Sequence, residues 1–306
     1  MEEALRSALL SLAKNRGANR LARMCGLRLG AGRFVAGETI EAAIARVRAL
    51  NGENLAVTLD HLGESVRDAS AARAAKDHCL RALDAVAAAG VDATLSVKLT
   101  QLGLDVNADM CRGHMREILA CAGRHGNFVQ IDMEDYSHCQ ATVELALEMF
   151  GEFSNVGAVV QAYLYRAAED AERMAKLGMP LRIVKGAYRE PPAVAFPQKA
   201  DVDDNYRRLV AACLAVGAFT AIATHDEAIV NWARSHIDRS GIARDRFEFQ
   251  MLYGIRPALQ RAIAQAGHRV RIYVPYGTDW YGYFMRRLAE RPANIGFILR
   301  SVIGRS

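Results

Sequence analysis

Eight short apolar runs, many of them β-branched, recur along the chain at Leu55–Leu59, Thr94–Leu99, Phe128–Met133, Val156–Tyr163, Leu181–Val184, Phe219–Thr224, Phe247–Leu252 and Val270–Val274. Their starts lie about 23 to 40 residues apart, the length of a strand, a helix and two loops. Between them stand Ala/Leu/Arg/Glu-rich stretches with helical periodicity, such as Glu64–Ala89, Ala141–Phe150 and Ala167–Leu177. Glycines at 90, 151, 178, 217 and 267 punctuate the expected helix ends before the next strand. Eight such units predict an α/β fold of the (β/α)8 TIM type. The competing doubly wound sheet has fewer strands and a Gly-rich turn after the first. Here the first run leads into Asp60-His61-Leu62-Gly63-Glu64, which is no dinucleotide fingerprint. Residues 1–50 read as extra N-terminal helices (Ala4–Asn15, Arg20–Leu27, Ile40–Leu50) packed outside the barrel, and residues 51–306 as the barrel itself. The sequence predicts no further domain and no linker.

Composition narrows the class. The chain has 306 residues, 51% of them apolar, which is enough for one large core. Lys and Arg outnumber Asp and Glu by 39 to 34, giving +5 without any basic run, so no nucleic-acid partner is expected. The cysteines at 25, 79, 111, 121, 139 and 213 form no C-x-x-C and have no zinc-finger His spacing. They read as buried free thiols of a reducing compartment, and no metal site is expected. The start, Met-Glu-Glu-Ala-Leu-Arg, lacks a basic segment followed by an apolar core. No apolar run reaches the roughly 18 residues of a membrane span. The expectation is a cytoplasmic protein, or one peripheral on the inner face of the membrane.

In a barrel, chemistry collects at the C-terminal ends of the strands. Polar residues do cluster there: Lys98 after the second run, Asp132 and Glu134 at the third, Gln161 and Tyr163 at the fourth. Arg182, Lys185 and Tyr188 belong to the fifth, Thr224, His225 and Asp226 to the sixth, Gln250 and Tyr253 to the seventh, and Tyr273 to the eighth. Each alone reads as a structural ion pair or a solvated strand end. Together they make a poor lid and a good pocket. Beyond the last run, Tyr283, Arg286 and Arg287 fall at i, i+3 and i+4 on one helix face, with Glu290 on the same side. Two adjacent guanidiniums suit a carboxylate ligand, with Glu290 holding one arginine. The absence of a Cys/His pair, a G-x-S-x-G and a carboxylate/His cluster puts covalent and metal-assisted hydrolysis low. Walker and G-x-G-x-x-G motifs are absent too.

The segments Arg182-Ile183-Val184-Lys185-Gly186-Ala187-Tyr188 and Tyr283-Phe284-Met285-Arg286-Arg287-Leu288-Ala289-Glu290 are specific. With Ser96–Leu99, Ile131–Glu134, Val159–Tyr163, Ala223–His225, Glu248–Gly254 and Arg271–Pro275, in that order, the chain resembles proline dehydrogenase over roughly residues 50 to 300. Its length resembles the one-domain bacterial form and leaves no room for the aldehyde dehydrogenase domain of proline utilisation A. The resemblance implies FAD as cofactor and oxidation of L-proline to 1-pyrroline-5-carboxylate, by hydride transfer to flavin N5. It implies electrons passed on to a membrane quinone, and a separate pyrroline-5-carboxylate dehydrogenase is a candidate partner for the product. By the resemblance Lys98, Arg286 and Arg287 bind the substrate carboxylate and Glu290 orients an arginine. Asp132 holds Lys98 or a nearby hydroxyl, and Tyr188, Leu252, Tyr273 and Tyr283 wall the ring. Arg182 lies near the reactive edge of the flavin. Met133, Gln161, Lys185, Gly186, Ala187, Thr224 and His225 complete the cofactor site. A bulky Tyr273 disfavours hydroxyproline. The alternatives are flavin-dependent oxidation of another cyclic amino acid, hydroxyproline among them, a non-catalytic barrel that binds an anion, and a Schiff-base barrel using Lys98 or Lys185.

Overall fold

The structure is a computed structural model that describes residues 31–63 and 65–290, apart from the side chains of Ala289 and Glu290. Eight parallel strands close into a barrel in sequence order. They are β1 (Ala56–His61), β2 (Ala93–Val97), β3 (Val129–Ile131), β4 (Val156–Gln161), β5 (Leu181–Val184), β6 (Thr220–Ala223), β7 (Phe247–Leu252) and β8 (Val270–Tyr276). The ring closes where β1 pairs with β8, from Ala56 opposite Arg271 to His61 opposite Tyr276. The described helices are α1 (Ile40–Gly52), α2 (Ala69–Ala89), α3 (Ala108–Arg124), α4 (Tyr136–Glu152), α5 (Ala167–Lys176), α6 (Lys199–Ala215), α7 (Glu227–Ser240), α8 (Pro257–Gln265) and α9 (Trp280–Glu290).

The eight expected strands are all present, six of them with shifted ends. Lys98 and Asp132 lie just past β2 and β3, whereas Asp60 and His61 still belong to β1. The expected helix over 64–89 begins only at Ala69, because the Asp68 carboxylate accepts the Ala71 N–H at 2.8 Å and caps it there. Glu64 lies outside the described residues. Gly90 does end α2 in the left-handed conformation, whereas Gly151 lies inside the last turn of α4. The expected helices over 4–15 and 20–27, and Cys25 with them, fall outside the described residues. The other five cysteines are buried and free.

The helix expected over 40–50 is α1, and its position has a consequence for the mouth. Its buried face, Ala43, Ile44, Val47 and Leu50, belongs to the main core with β1, β8 and α2. It therefore fills a place in the outer ring beside the β8–β1 seam. The last helix, α9, joins a separate apolar cluster with Ala31, Phe34, Val35, Leu62 and Ile255, with Leu252 against it. Leu62 follows β1, Leu252 ends β7 and Ile255 lies just beyond. These contacts set α9 across the C-terminal ends of the strands rather than on the barrel wall. The Trp280 indole N–H, donated to Glu38 at 2.9 Å, ties its start to the segment before α1.

Candidate active site

Strand alternation sends every second side chain into the barrel. In most barrels those positions are filled by branched apolar residues. Here Thr58, Asp60, Ser96, Gln130, Asp132, Gln161, Arg182, Glu248, Gln250 and Arg271 are all polar and buried. Burying them requires partners, and most of them fall into two groups. The lower one is structural: Arg271 meets Glu248 at 2.7 Å and the Val57 carbonyl at 2.7 Å, and Gln250 donates to Glu248 at 2.6 Å.

Toward the C-terminal ends of the strands, Asp132 collects four donors. Its Oδ1 accepts from Ser96 at 2.7 Å and from Arg182 at 2.7 Å. Its Oδ2 accepts from the Tyr273 hydroxyl at 2.7 Å and from Lys98 at 3.3 Å. Lys98 also donates to Asp60 at 2.9 Å and to the Tyr273 oxygen at 3.3 Å. The Arg182 guanidinium stands over the Tyr273 ring at 5.4 Å. Four residues singled out in the sequence, on or just past strands far apart in the chain, thus form one network. Asp60 and Ser96 belong to it as well and were missed.

The electrostatics are uneven. Burial would raise the Asp132 carboxyl, but Lys98, Arg182 and the Tyr273 and Ser96 hydroxyls hold it below the ordinary carboxylate value. Burial raises the Asp60 carboxyl, against the pull of Lys98 and with the push of Asp132. Burial works against the Lys98 ammonium, yet the Asp60 and Asp132 carboxylates hold its pKa well above normal. Lys98 is therefore held in its cationic form. Burial, then Asp132 and Asp60, keep the Tyr273 phenol protonated. What results is two buried cations, Lys98 and Arg182, paired with Asp60 and Asp132 beside the Tyr273 ring.

Gln161, at the end of β4, donates its amide N–H to the backbone carbonyls of Glu134 at 3.2 Å and Met133 at 3.4 Å. Its Oε1 is buried with no hydrogen-bond partner among the described residues, and so is Arg182 Nε. Buried polar atoms are rarely left in this state. An acceptor and a donor held open near the mouth fit the edge of a polar heterocycle such as a flavin ring. Glu134, buried itself, accepts from the Thr100 N–H at 3.0 Å and the Thr100 hydroxyl at 2.5 Å, fastening the turns after β2 and β3 to each other.

Beyond β5 the chain turns through Gly186 at φ 128°. A Cβ there would lie 2.2 Å from the Tyr163 ring, so only glycine fits. Lys185 meets Asp203 at 2.5 Å and Asp226 at 2.9 Å. Asp226 is also the N-cap of α7, accepting the Ala228 N–H at 3.1 Å. Lys185 is thus held by two carboxylates, neither of which was foreseen as its partner. Thr224 accepts the Asp226 N–H at 3.1 Å. His225 Nε2 accepts the Leu252 N–H at 2.8 Å, so in the neutral ring the proton sits on Nδ1. Tyr188 and Leu252 are half-buried, and Ala187 is exposed beside Gly186. On α9 the Arg287 guanidinium stacks on the Tyr283 ring at 5.0 Å, as their i, i+4 spacing allows, and Arg286 is half-buried. Glu290 ends α9, and its side chain lies outside the described residues.

A trio of mixed donors stands apart on α2 and α3: Asp84, Cys121 and His125. His125 Nε2 lies 2.8 Å from Asp84 and the Cys121 thiol 3.8 Å from the same oxygen, a hydrogen-bonded set that satisfies its own members.

Comparison with known proteins follows the same lines. A family model described as proline dehydrogenase matches residues 43–300. The chain is 46% identical to proline dehydrogenase 1 of Bacillus subtilis strain 168, over 98% of this chain and 99% of that one. It is 43% identical to proline dehydrogenase of Deinococcus radiodurans, over 99% of each. Among solved structures it is similar to proline utilization A of Bdellovibrio bacteriovorus inactivated by N-propargylglycine, with a TM-score of 0.79 and 26% identity. That match covers 85% of this chain but spans only 32% of the other.

Proposed function

The chain belongs to the proline dehydrogenase family and is an oxidoreductase, and from that premise we propose that it oxidises L-proline to 1-pyrroline-5-carboxylate with FAD as cofactor. The observation that carries this reading is the buried network of Lys98, Asp132, Arg182 and Tyr273 at the barrel mouth. Bound FAD would supply the hydride acceptor, chemistry that no side chain offers. Met133, Gln161, Arg182, Lys185, Gly186, Ala187, Thr224 and His225 would hold it. The open Gln161 Oε1 and Arg182 Nε support that assignment.

In this reading the remaining residues bind, orient and exclude water. Lys98, Arg286 and Arg287 receive the substrate carboxylate, and Glu290 orients one arginine. Clamping the carboxylate of a small rigid ring fixes which carbon faces the acceptor, the one bonded to nitrogen and distal to the carboxylate. Hydride leaves that carbon as the nitrogen lone pair forms the C=N bond, so the amine must be neutral. Asp132 holds the Tyr273 hydroxyl in place at 2.7 Å, acting as an orienting anion beside Lys98. Tyr188, Leu252, Tyr273 and Tyr283 wall the ring and keep water out. A tyrosine with its hydroxyl pinned at 2.7 Å to Asp132 is a rigid wall, which disfavours a ring carrying an extra hydroxyl.

We further propose a quinone as electron acceptor, a separate pyrroline-5-carboxylate dehydrogenase as consumer of the product, and a cytoplasmic site at the inner face of the membrane. Among the described residues no helix is long and apolar enough to cross a membrane. The test is an anaerobic absorbance spectrum of the purified protein before and after L-proline. A flavin spectrum that bleaches with proline, and much less with hydroxyproline, is the expected result. A flavin spectrum unmoved by proline would discard the substrate, and a colourless protein that ignores added FAD would discard the whole reading.

A further inference from the structure

Lys98 has three N–H bonds and three partners. Asp60 Oδ1 lies at 2.9 Å, whereas Asp132 Oδ2 and the Tyr273 oxygen each lie at 3.3 Å. The three contacts are not equivalent. Asp132 also has Ser96, Arg182 and Tyr273, each at 2.7 Å, so it remains satisfied if Lys98 turns away. Asp60 is 2% exposed, at the end of a fully paired strand, and its short ion pair is with Lys98. Its backbone is fixed on both sides, opposite Ser96 of β2 and Pro275 of β8.

We propose that Asp60 is a positioning residue, anchoring the Lys98 ammonium on the β1 side of the barrel mouth so that its two longer contacts are the ones exchanged for an arriving carboxylate. The proposal rests on the reading of Lys98 as a carboxylate-binding cation. Without the anchor, Lys98 would swing fully onto Asp132 and pair with it, and the substrate would then compete with a buried carboxylate. Charge alone argues the other way. Deleting a negative group beside a cation should help an anion bind. Positioning and plain electrostatics therefore predict opposite signs.

The test uses the FAD-loaded full chain and the variants Asp60→Asn, Lys98→Met and their combination. The ligand probe is tetrahydrofuran-2-carboxylate, the oxygen isostere of proline, which binds but has no amine to oxidise; its Kd is read from the flavin absorbance. Asp60→Asn is expected to weaken probe binding and raise the KM for proline by about tenfold, the worth of one hydrogen bond to a charged group, with kcat within about threefold. In the Lys98→Met background it should add nothing, because the residue through which it acts is gone. Probe binding as tight as wild type or tighter in Asp60→Asn, or an equal further loss in the Lys98→Met background, would overturn the proposal. Should Asp60→Asn fail to fold or to load FAD, Asp60→Ser carries the same comparison. Lys98→Met alone separates the two readings. If it leaves probe binding unchanged, the assignment of Lys98 to the substrate falls and the role of Asp60 with it. If it weakens binding while Asp60→Asn does not, only the inference about Asp60 fails.

Discussion

Replacing Asp132 by asparagine probes the network at its centre. Asparagine keeps the shape and one acceptor oxygen, which can still receive Ser96 and Arg182. Its amide nitrogen then faces the Tyr273 hydroxyl, now 2.7 Å from Oδ2, and the Lys98 ammonium at 3.3 Å, so donors face donors. The substitution also leaves two buried cations with Asp60 as the anion still in contact with the network. Breaking a buried ion pair by removing one partner costs about 3–5 kcal/mol. Against a domain stability of about 5–15 kcal/mol, that loss is a large share but leaves a folded majority. Urea unfolding at pH 7, followed by far-UV circular dichroism and extrapolated linearly, measures it directly. Adding Arg182→Met should recover part of the loss, since its guanidinium loses its ion-pair partner, whereas Lys98 keeps Asp60 at 2.9 Å. A loss below about 1 kcal/mol, or a double variant no better than the single one, would refute the claim that these charges depend on one another.

Three further outcomes are expected. The Asp226 carboxyl is held down to about 2, first by its hydrogen bond to Lys185. A depressed carboxyl pKa contributes stability above its unfolded value of 3.8 and loses it as pH falls toward 2. The gap in urea midpoint between wild type and Asp226→Asn should therefore be full at pH 5 to 7 and vanish near pH 2, and a gap that stays constant with pH would contradict this. Gly186→Ala places a methyl against the Tyr163 ring at φ 128°, and should lower stability by about 1–3 kcal/mol and reduce the flavin-to-protein absorbance ratio. Arg286→Ala and Arg287→Ala should each raise the KM for proline by about tenfold or more while changing kcat less, and unchanged KM values in both would end the clamp assignment.

The barrel was legible because its strands are short apolar runs at nearly regular spacing, and the two strands β5 and β7 fall on the runs residue for residue. The network members Lys98, Asp132, Arg182 and Tyr273 were legible as polar residues at strand ends. Asp60 was not, because the first apolar run stops at Leu59 and the residues after it were weighed only as a failed nucleotide-binding turn. Its signal was there in the alternation Val57, Thr58, Leu59, Asp60, which sets Thr58 and Asp60 on the inner face. The partners of Lys185 carried no local signal. Asp203 lies on a helix and Asp226 at a cap, and only the closed ring brings both to the end of β5. The late start of α2 was hidden because Val66 and Arg67 suit a helix, and the Asp68 cap decides.

The place of α1 has a consequence for the final helix. Because a helix from before the first strand completes the outer wall, the final helix is released from closing the barrel. Its apolar cluster shares no buried residue with the main core. Lifting it away would expose Trp280, Phe284 and Leu288 but would leave all eight strand pairings intact. Such a unit can come loose at a fraction of the free energy of global unfolding. The arginine pair thus rides on a helix packed apart from the main core, and the seating of the arginines and the integrity of the barrel become separable quantities.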